Sequence, residues 1–148
     1  MSYVVDASVA IKWFVPEPLQ DRAQSLLYSE GGQLEAPDFL IAEVANIAWK
    51  KAMRQEITAL QANIIPGETR DALAVCHPSL ELIEDALSIA LQLRHPIYDC
   101  IYLAYAERIG GTLVTADLRL CRVIAHSHIR NAVRWLGDPN AFQPKNLQ

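Results

Sequence analysis

The 148-residue chain has only three cysteines, Cys76, Cys100 and Cys121, far apart in sequence. That spacing excludes a CxxC redox pair or a cysteine-based zinc motif, and an odd count excludes a complete disulfide framework. All three lie among apolar residues and are expected to be buried, free thiols in a reducing compartment. Histidine is as scarce, with four residues. Its one close pair, His126 and His128, would face opposite sides of an extended segment and reads as a solvated loop, so zinc has no obvious ligand set. Basic charge is outnumbered, with 13 Lys and Arg against 17 Asp and Glu for a net charge of −4. This excludes a general basic coat for nucleic acid, though not a local nucleic-acid site. No apolar stretch approaches the ~18 uncharged residues of a membrane span. The opening MSYVVDASVAIKW has no basic segment before its apolar residues and does not read as a signal peptide, so a cytoplasmic protein is expected. There are no repeats or low-complexity tracts.

What is present is a globular composition: 51% hydrophobic and 20% charged residues in one domain's length of chain. Charge is unevenly spread. Residues 1–117 carry 8 Lys and Arg against 16 Asp and Glu, whereas residues 118–148 carry 5 (Arg119, Arg122, Arg130, Arg134, Lys145) against Asp138 alone. That basic end reads either as surface solubility or as the rim of a polyanion site. Strand and helix signals alternate. Tyr3-Val4-Val5 reads as a buried strand. Pro16 and Pro18 open a helix to about Glu30, ended by Gly31-Gly32. A strand over 33–36 precedes a helix with Asp38 as N-cap, ending near Gln55. Thr58 caps a helix to about Asp71 that Pro66-Gly67 should kink or break. A strand over 72–76 is followed by a helix from Ser79 to about Leu93. Pro96 starts a helix to Ile109, stopped by Gly110-Gly111. A strand over 112–116, a helix from Asp117 to Ile124 and a strand over 132–136 follow. Five short strands alternating with helices predict an α/β sandwich on a mainly parallel sheet, with residues 1–136 as the domain and 137–148 as a loose tail. Sites in such folds lie beyond the carboxyl ends of the strands, which points to Asp6 and Asp117.

The chemistry lies in carboxylates set in apolar company. In FLIAEVANIAW, Glu43 is the only charge, and its helical neighbours Phe39, Leu40, Asn46 and Ile47 include no cation. In PIYDCIYLAYA, Asp99 is the only charge, with His95, Pro96, Tyr102 and Leu103 around it, and Asp6 sits between Val5 and Ala7. Each acid has an ordinary reading. Asp6, Asp99 and Asp117 could cap helices, and Glu43 could lie on a polar stripe with Asn46 and Lys50. Jointly they read as one metal site. Two carboxylates ~5 Å apart at an effective dielectric near ~20 repel by roughly 3 kcal/mol, so a cluster needs raised pKa values or a bound cation. An oxygen-only donor set suits Mg²⁺ or Mn²⁺, the usual partners of phosphodiester hydrolysis. Ser8 and Thr115 each stand two residues from one of these acids, placed either to orient it or to make local turn bonds. Trp13, Phe14 and Trp49, and the run Tyr98, Tyr102 and Tyr105, read as packing or interface residues before base-stacking ones. A dehalogenase-like phosphatase would need a second Asp where Ser8 stands.

VVDASVAIKWFVPE, FLIAEVANIAWKKA and HPIYDCIYLAYAERIGGTLVTADLRL together resemble the PIN-domain family over residues 3–124, and within it the VapC-type toxins of bacterial toxin–antitoxin pairs. The resemblance places the family's acidic quartet on Asp6, Glu43, Asp99 and Asp117, its hydroxyls on Ser8 and Thr115, and its Asn on Asn46. It implies a parallel sheet in the order 3-2-1-4-5 and a Mg²⁺- or Mn²⁺-dependent endoribonuclease cutting single-stranded or looped RNA. In that reading Asp6, Asp99 and Asp117 hold one or two ions, and Glu43 ligates or activates the attacking water. A homodimer and inhibition by a small VapB-like antitoxin are implied as well. Two alternatives stay open: a PIN-domain nuclease of RNA maturation or turnover, and a non-catalytic PIN-like binding module.

Overall fold

The computed structural model describes residues 2–29 and 33–140. The expected stop at Gly31-Gly32 and the tail from 141 onward lie outside the described residues. Strands β1 (Tyr3–Val5), β2 (Leu34–Pro37), β3 (Val75–His77), β4 (Thr112–Thr115) and β5 (Val133–Trp135) form one sheet in the order β3-β2-β1-β4-β5. Every pairing is parallel. Helices α1 (Ala7–Ala10), α2 (Gln20–Ser29), α3 (Phe39–Met53), α4 (Ala59–Ala72), α5 (Ile83–Leu93), α6 (Ile97–Ile109) and α7 (Leu118–Ile124) flank it. The α/β reading and the strand order implied by the resemblance both hold. Parallel strands need both faces covered, and the central ones are uniformly apolar: Val4, Val5, Leu113 and Val114 are fully buried. From α6, the residues Cys100 to Ala106 are all buried beneath β1, β2 and β4. Among the described residues no helix is long and apolar enough to cross a membrane.

The order has one consequence for function. From β1 the chain passes to β2 and β3 on one side, then returns to lay β4 and β5 on the other. The switch point is therefore between β1 and β4, where open α/β sheets leave a crevice. Val5 pairs with Val114, so Asp6 leaves β1 beside the end of β4.

Several elements depart from expectation for physical reasons. The third strand begins at Val75 and not at residue 72, because α4 keeps Ala72. Leu73 then leaves the helix in an extended conformation, and Ala74 N donates to the Leu34 carbonyl at 2.8 Å on the way into the strand. Helix α4 runs unbroken through Pro66. A capping box fixes its start, with the Gln61 amide N–H donating to Thr58 Oγ1 and the Thr58 N–H to Gln61 Oε1. Buried Thr69 adds a bond to the Ile65 carbonyl, and packing against α3 does the rest. The stretch from Ser79 opens as a 3-10 turn, Ser79–Leu82, before α5 begins. Asp38 does not cap its own helix, since its φ of −65° and ψ of −17° turn its carboxylate away from the α3 amides. It accepts instead from Ser79 N at 3.0 Å, while Phe39 N donates to Ser79 Oγ at 2.9 Å. The two helix starts thus cap each other across about 40 residues. At the C-terminal end of α6, Gly110 takes φ +61°, the left-handed cap its sequence position predicts. Cys100 is buried, but Cys76 and Cys121 are only half-buried; all three are free thiols. Trp13 is buried and donates to the Ala23 carbonyl, whereas Trp49 is 57% exposed and belongs to no core. His126 and His128 are exposed in a turn, as expected of a solvated loop.

Candidate functional site

Asp6 is buried at the mouth of the switch point. It is the N-cap of α1, with its carboxylate accepting from Val9 N at 3.3 Å, and Ser8 Oγ donates to the same oxygen at 2.5 Å. Burial lifts its pKa from 3.8 to about 6, with a smaller push from Asp99 and opposition from the Ser8 and Thr115 hydroxyls. Ser8 also accepts from Ala116 N at 2.9 Å and lies 3.4 Å from Thr115 Oγ1, which in turn accepts from Asp117 N at 3.1 Å. A continuous line therefore runs from Asp6 through Ser8 and Thr115 to Asp117, stitching the end of β1 to the end of β4. Ser8 thus bonds the Asp6 carboxylate itself, whereas Thr115 takes up the Asp117 backbone N–H, a local turn bond. Asp117 caps α7 through Arg119 N at 2.9 Å and Leu120 N at 3.3 Å. The capping reading and the cluster reading are thus compatible for both Asp6 and Asp117. A cap uses one oxygen and leaves the other for a ligand.

Glu43 comes from α3 and Asp99 from α6. Glu43 is half-buried, and its carboxyl is raised by burial first and then by Asp6 and Asp99. Its counterweight is the buried Tyr102 hydroxyl, which donates to Glu43 Oε1. Tyr102 is held well above the ordinary phenol range by burial and by Glu43, so it remains a donor. Asp99 does not cap α6, whose N-cap position is Pro96; its Oδ2 is 2.6 Å from His95 Nε2. Asp6, Glu43 and Asp99 thus act on one another electrostatically, with Asp117 tied in through the hydroxyl line. Among the described residues, however, no three His, Cys, Asp or Glu side chains stand close enough to hold a metal ion as they lie. The two half-exposed acids are turned to protein donors, Glu43 to Tyr102 and Asp99 to His95. By chemistry the four carboxylates fit a hard cation, with the Ser8 and Tyr102 hydroxyls steadying Asp6 and Glu43. Asn46 stands one turn beyond Glu43 on the exposed side of α3, along a cavity that Glu43 and Lys50 also line.

Tyr102 and His95 were legible as helical neighbours of Asp99 but carried no role in sequence. Tyr102 meets Glu43 across 59 residues, and only the tertiary fold creates that contact. Of the tyrosine run, Tyr102 and Tyr105 are buried with bonded hydroxyls, Tyr105 donating to Glu35 at 2.7 Å, while Tyr98 is 59% exposed.

Residues 3–125 match the family model described as PIN domain. Among curated relatives, Ribonuclease VapC3 of Pyrobaculum aerophilum is 37% identical over 123 residues, covering 81% of this chain and 92% of its own. Ribonuclease VapC9 of Mycobacterium tuberculosis is 31% identical over 117 residues, covering 79% and 87%. Among solved structures, that of PAE2754 from Pyrobaculum aerophilum superposes with a TM-score of 0.68 at 21% identity, covering 92% of this chain and 91% of that one, a likeness of fold.

Proposed function

The chain belongs to the PIN-domain family, and from that premise we propose that it is a VapC-type endoribonuclease, the toxin of a toxin–antitoxin pair, hydrolysing RNA phosphodiester bonds with Mg²⁺ or Mn²⁺ at Asp6, Glu43, Asp99 and Asp117. The observation that carries this reading is the hydroxyl line through Ser8 and Thr115 that joins buried Asp6 to Asp117 across the β1/β4 switch point, with Glu43 beside it raised by the charges of Asp6 and Asp99. Four acids from four parts of the chain are a costly arrangement for capping and a sensible one for a cation. A divalent ion bound there would polarise a phosphoryl oxygen and lower the pKa of a water.

The chain's own groups supply the rest. Asp6, Asp99 and Asp117 offer oxygens, with Asp6 fixed by Ser8 and Asp117 by its cap. Glu43 has one oxygen held by Tyr102, so its second oxygen takes the proton of the attacking water. The water oxygen bonds to phosphorus as the bond from phosphorus to the 3′ oxygen breaks, and the departing 3′ oxygen takes a proton from solvent water. The products are a 5′-phosphate and a 3′-hydroxyl.

Tyr102→Phe is expected to leave the fold intact and lower kcat about tenfold or more. Losing the donor that opposes the burial of Glu43 raises the carboxyl further, so the acid limb of the pH–rate profile moves to higher pH. An unmoved limb removes Glu43 from the base role.

Wild-type protein given total cellular RNA is expected to leave discrete 5′-phosphorylated ends with Mg²⁺ or Mn²⁺ and none with chelator. Expression alone should arrest growth, and an antitoxin-like frame encoded beside the gene should relieve it. Arrest with no relief by that frame favours an RNA-maturation nuclease. Two apolar surfaces support the partners proposed for such a toxin. Trp49 and Met53 stand 57% and 63% exposed along a groove of about 280 Å³ between α3 and α4, whose far side is lined by Ala59, Ala62 and Pro66, a surface that suits the antitoxin. Leu80, Ile83, Leu87 and Leu91 line one side of α5 and its lead-in at three- and four-residue spacing, a stripe that suits a second copy of the chain.

A further inference from the structure

One feature beside the acids is not used by the hydrolysis. A cavity of about 440 Å³ opens next to Glu43, lined by Phe39, Asn46, Ile47, Lys50 and Tyr98 among others. Tyr98 is stacked on Phe39, with ring centres 5.7 Å apart and planes 18° from parallel, and is still 59% exposed. Phe39 also leans on Tyr102 at 6.4 Å, and Tyr102 holds Glu43. An aromatic line thus runs from the exposed Tyr98 ring through Phe39 to Tyr102, whose hydroxyl donates to Glu43. Lys50 is exposed and makes no ion pair among the described residues, in contrast to its neighbour Lys51, which is bound to Glu17 at 3.0 Å and Glu56 at 3.3 Å. Lys50 lies seven residues, or about 10 Å, along α3 from Glu43. Asn46 lies between them on the same side, with an amide that both donates and accepts.

We propose that this cavity is a nucleotide subsite, in which an unpaired base of the RNA beside the cut phosphate stacks on Tyr98, with Asn46 at its edge and Lys50 on the next phosphate. The proposal rests on the ribonuclease reading and deepens it by assigning Tyr98, Asn46 and Lys50 to the nucleotide beside the cut. Three complementary groups favour a nucleotide over a peptide: a flat ring for the base, an amide for its edge and an unpaired ammonium for a phosphate. A base still stacked in a duplex cannot reach the ring.

The test is fluorescence anisotropy with a labelled ten-nucleotide adenylate strand in chelator, beside the same strand with abasic positions and a duplex of equal length. Tyr98→Ala should weaken binding of the adenylate strand about 5- to 100-fold, the range of one lost base–aromatic stack. Tyr98→Phe should stay within twofold. The abasic strand should bind weakly and equally to wild type and Tyr98→Ala, and the duplex should bind weakly to both. Lys50→Ala should flatten the slope of log K against log salt by about 0.7, one phosphate contact on a single strand. Adenylate binding unchanged in Tyr98→Ala, or abasic and adenylate strands bound alike by wild type, overturns the subsite. So does a Tyr98→Ala protein that binds RNA normally but escapes its antitoxin, since the cavity then serves a protein partner. Wild-type cleavage of total RNA, run in parallel, separates the two levels. Cleavage with no effect at Tyr98 sinks the subsite alone, and no cleavage at all sinks the ribonuclease reading.

Discussion

Asp6→Asn is expected to abolish RNA cleavage and to make the metal-free protein melt at a higher temperature. The two effects share one cause. Asp6 is 6% exposed, and burial lifts its carboxyl from 3.8 to about 6. The folded protein therefore keeps this proton over a pH range in which the unfolded chain has released it. The neutral carboxyl's contribution is complete below about pH 4 and is lost as pH rises through about 6. At pH 7.5 the ionised, buried group costs about 3 kcal/mol, from a shift of about two pH units. Asparagine carries no charge, and its Oδ1 can still accept from Ser8 and from Val9 N. The variant should melt higher by about 5 °C or more at pH 7.5, with the gap narrowing to near zero at pH 4. Melting curves of both proteins in chelator across that range check it. Cleavage should fall at least about a thousandfold, because a cation would lose a negatively charged oxygen at the deepest point of the site. A variant that cuts RNA at the wild-type rate shows that Asp6 is only a cap.

Asp117→Asn separates cap from ligand on the other strand. Asparagine is as good an N-cap as aspartate, so the bonds from Arg119 N and Leu120 N should survive. Stability by urea denaturation should change by less than about 0.5 kcal/mol, whereas Asp117→Ala should lose about 1 kcal/mol. Cleavage should fall about a hundredfold or more in both variants. If asparagine restores activity along with stability, Asp117 serves α7 and nothing else. Ser8 and Thr115 make the comparison informative, since their hydroxyls accept from Ala116 N and Asp117 N and so hold this backbone in place whichever side chain residue 117 carries.

How much of this was legible in the sequence follows from the range of each interaction. The strands and most helix limits are written locally, in apolar runs, in the Thr58–Gln61 box and in Gly110. The four acids could be picked out because each stands alone in an apolar segment, and a lone charge there is costly wherever it ends up. Contacts across long separations were not legible. The reciprocal capping of Asp38 and Ser79 misled the expectation for α3, and the Tyr102 bond to Glu43 could not be foreseen from spacing within α6. Pro66 was expected to disturb α4, but capping and packing outweigh one missing backbone bond. The tyrosine run divides for the same reason. Periodicity placed Tyr98, Tyr102 and Tyr105 near one another, but only the fold decides that two go under and one stays out beside Glu43.

The most direct test is calorimetric titration of Mn²⁺ into the wild-type protein and into the Asp6→Asn, Asp99→Asn double variant at pH 7.5. Saturable binding by the wild type, released by chelator and absent from the double variant, is the predicted result. Equal binding by both proteins, or none by the wild type at millimolar Mn²⁺, would contradict a cation held between the strands.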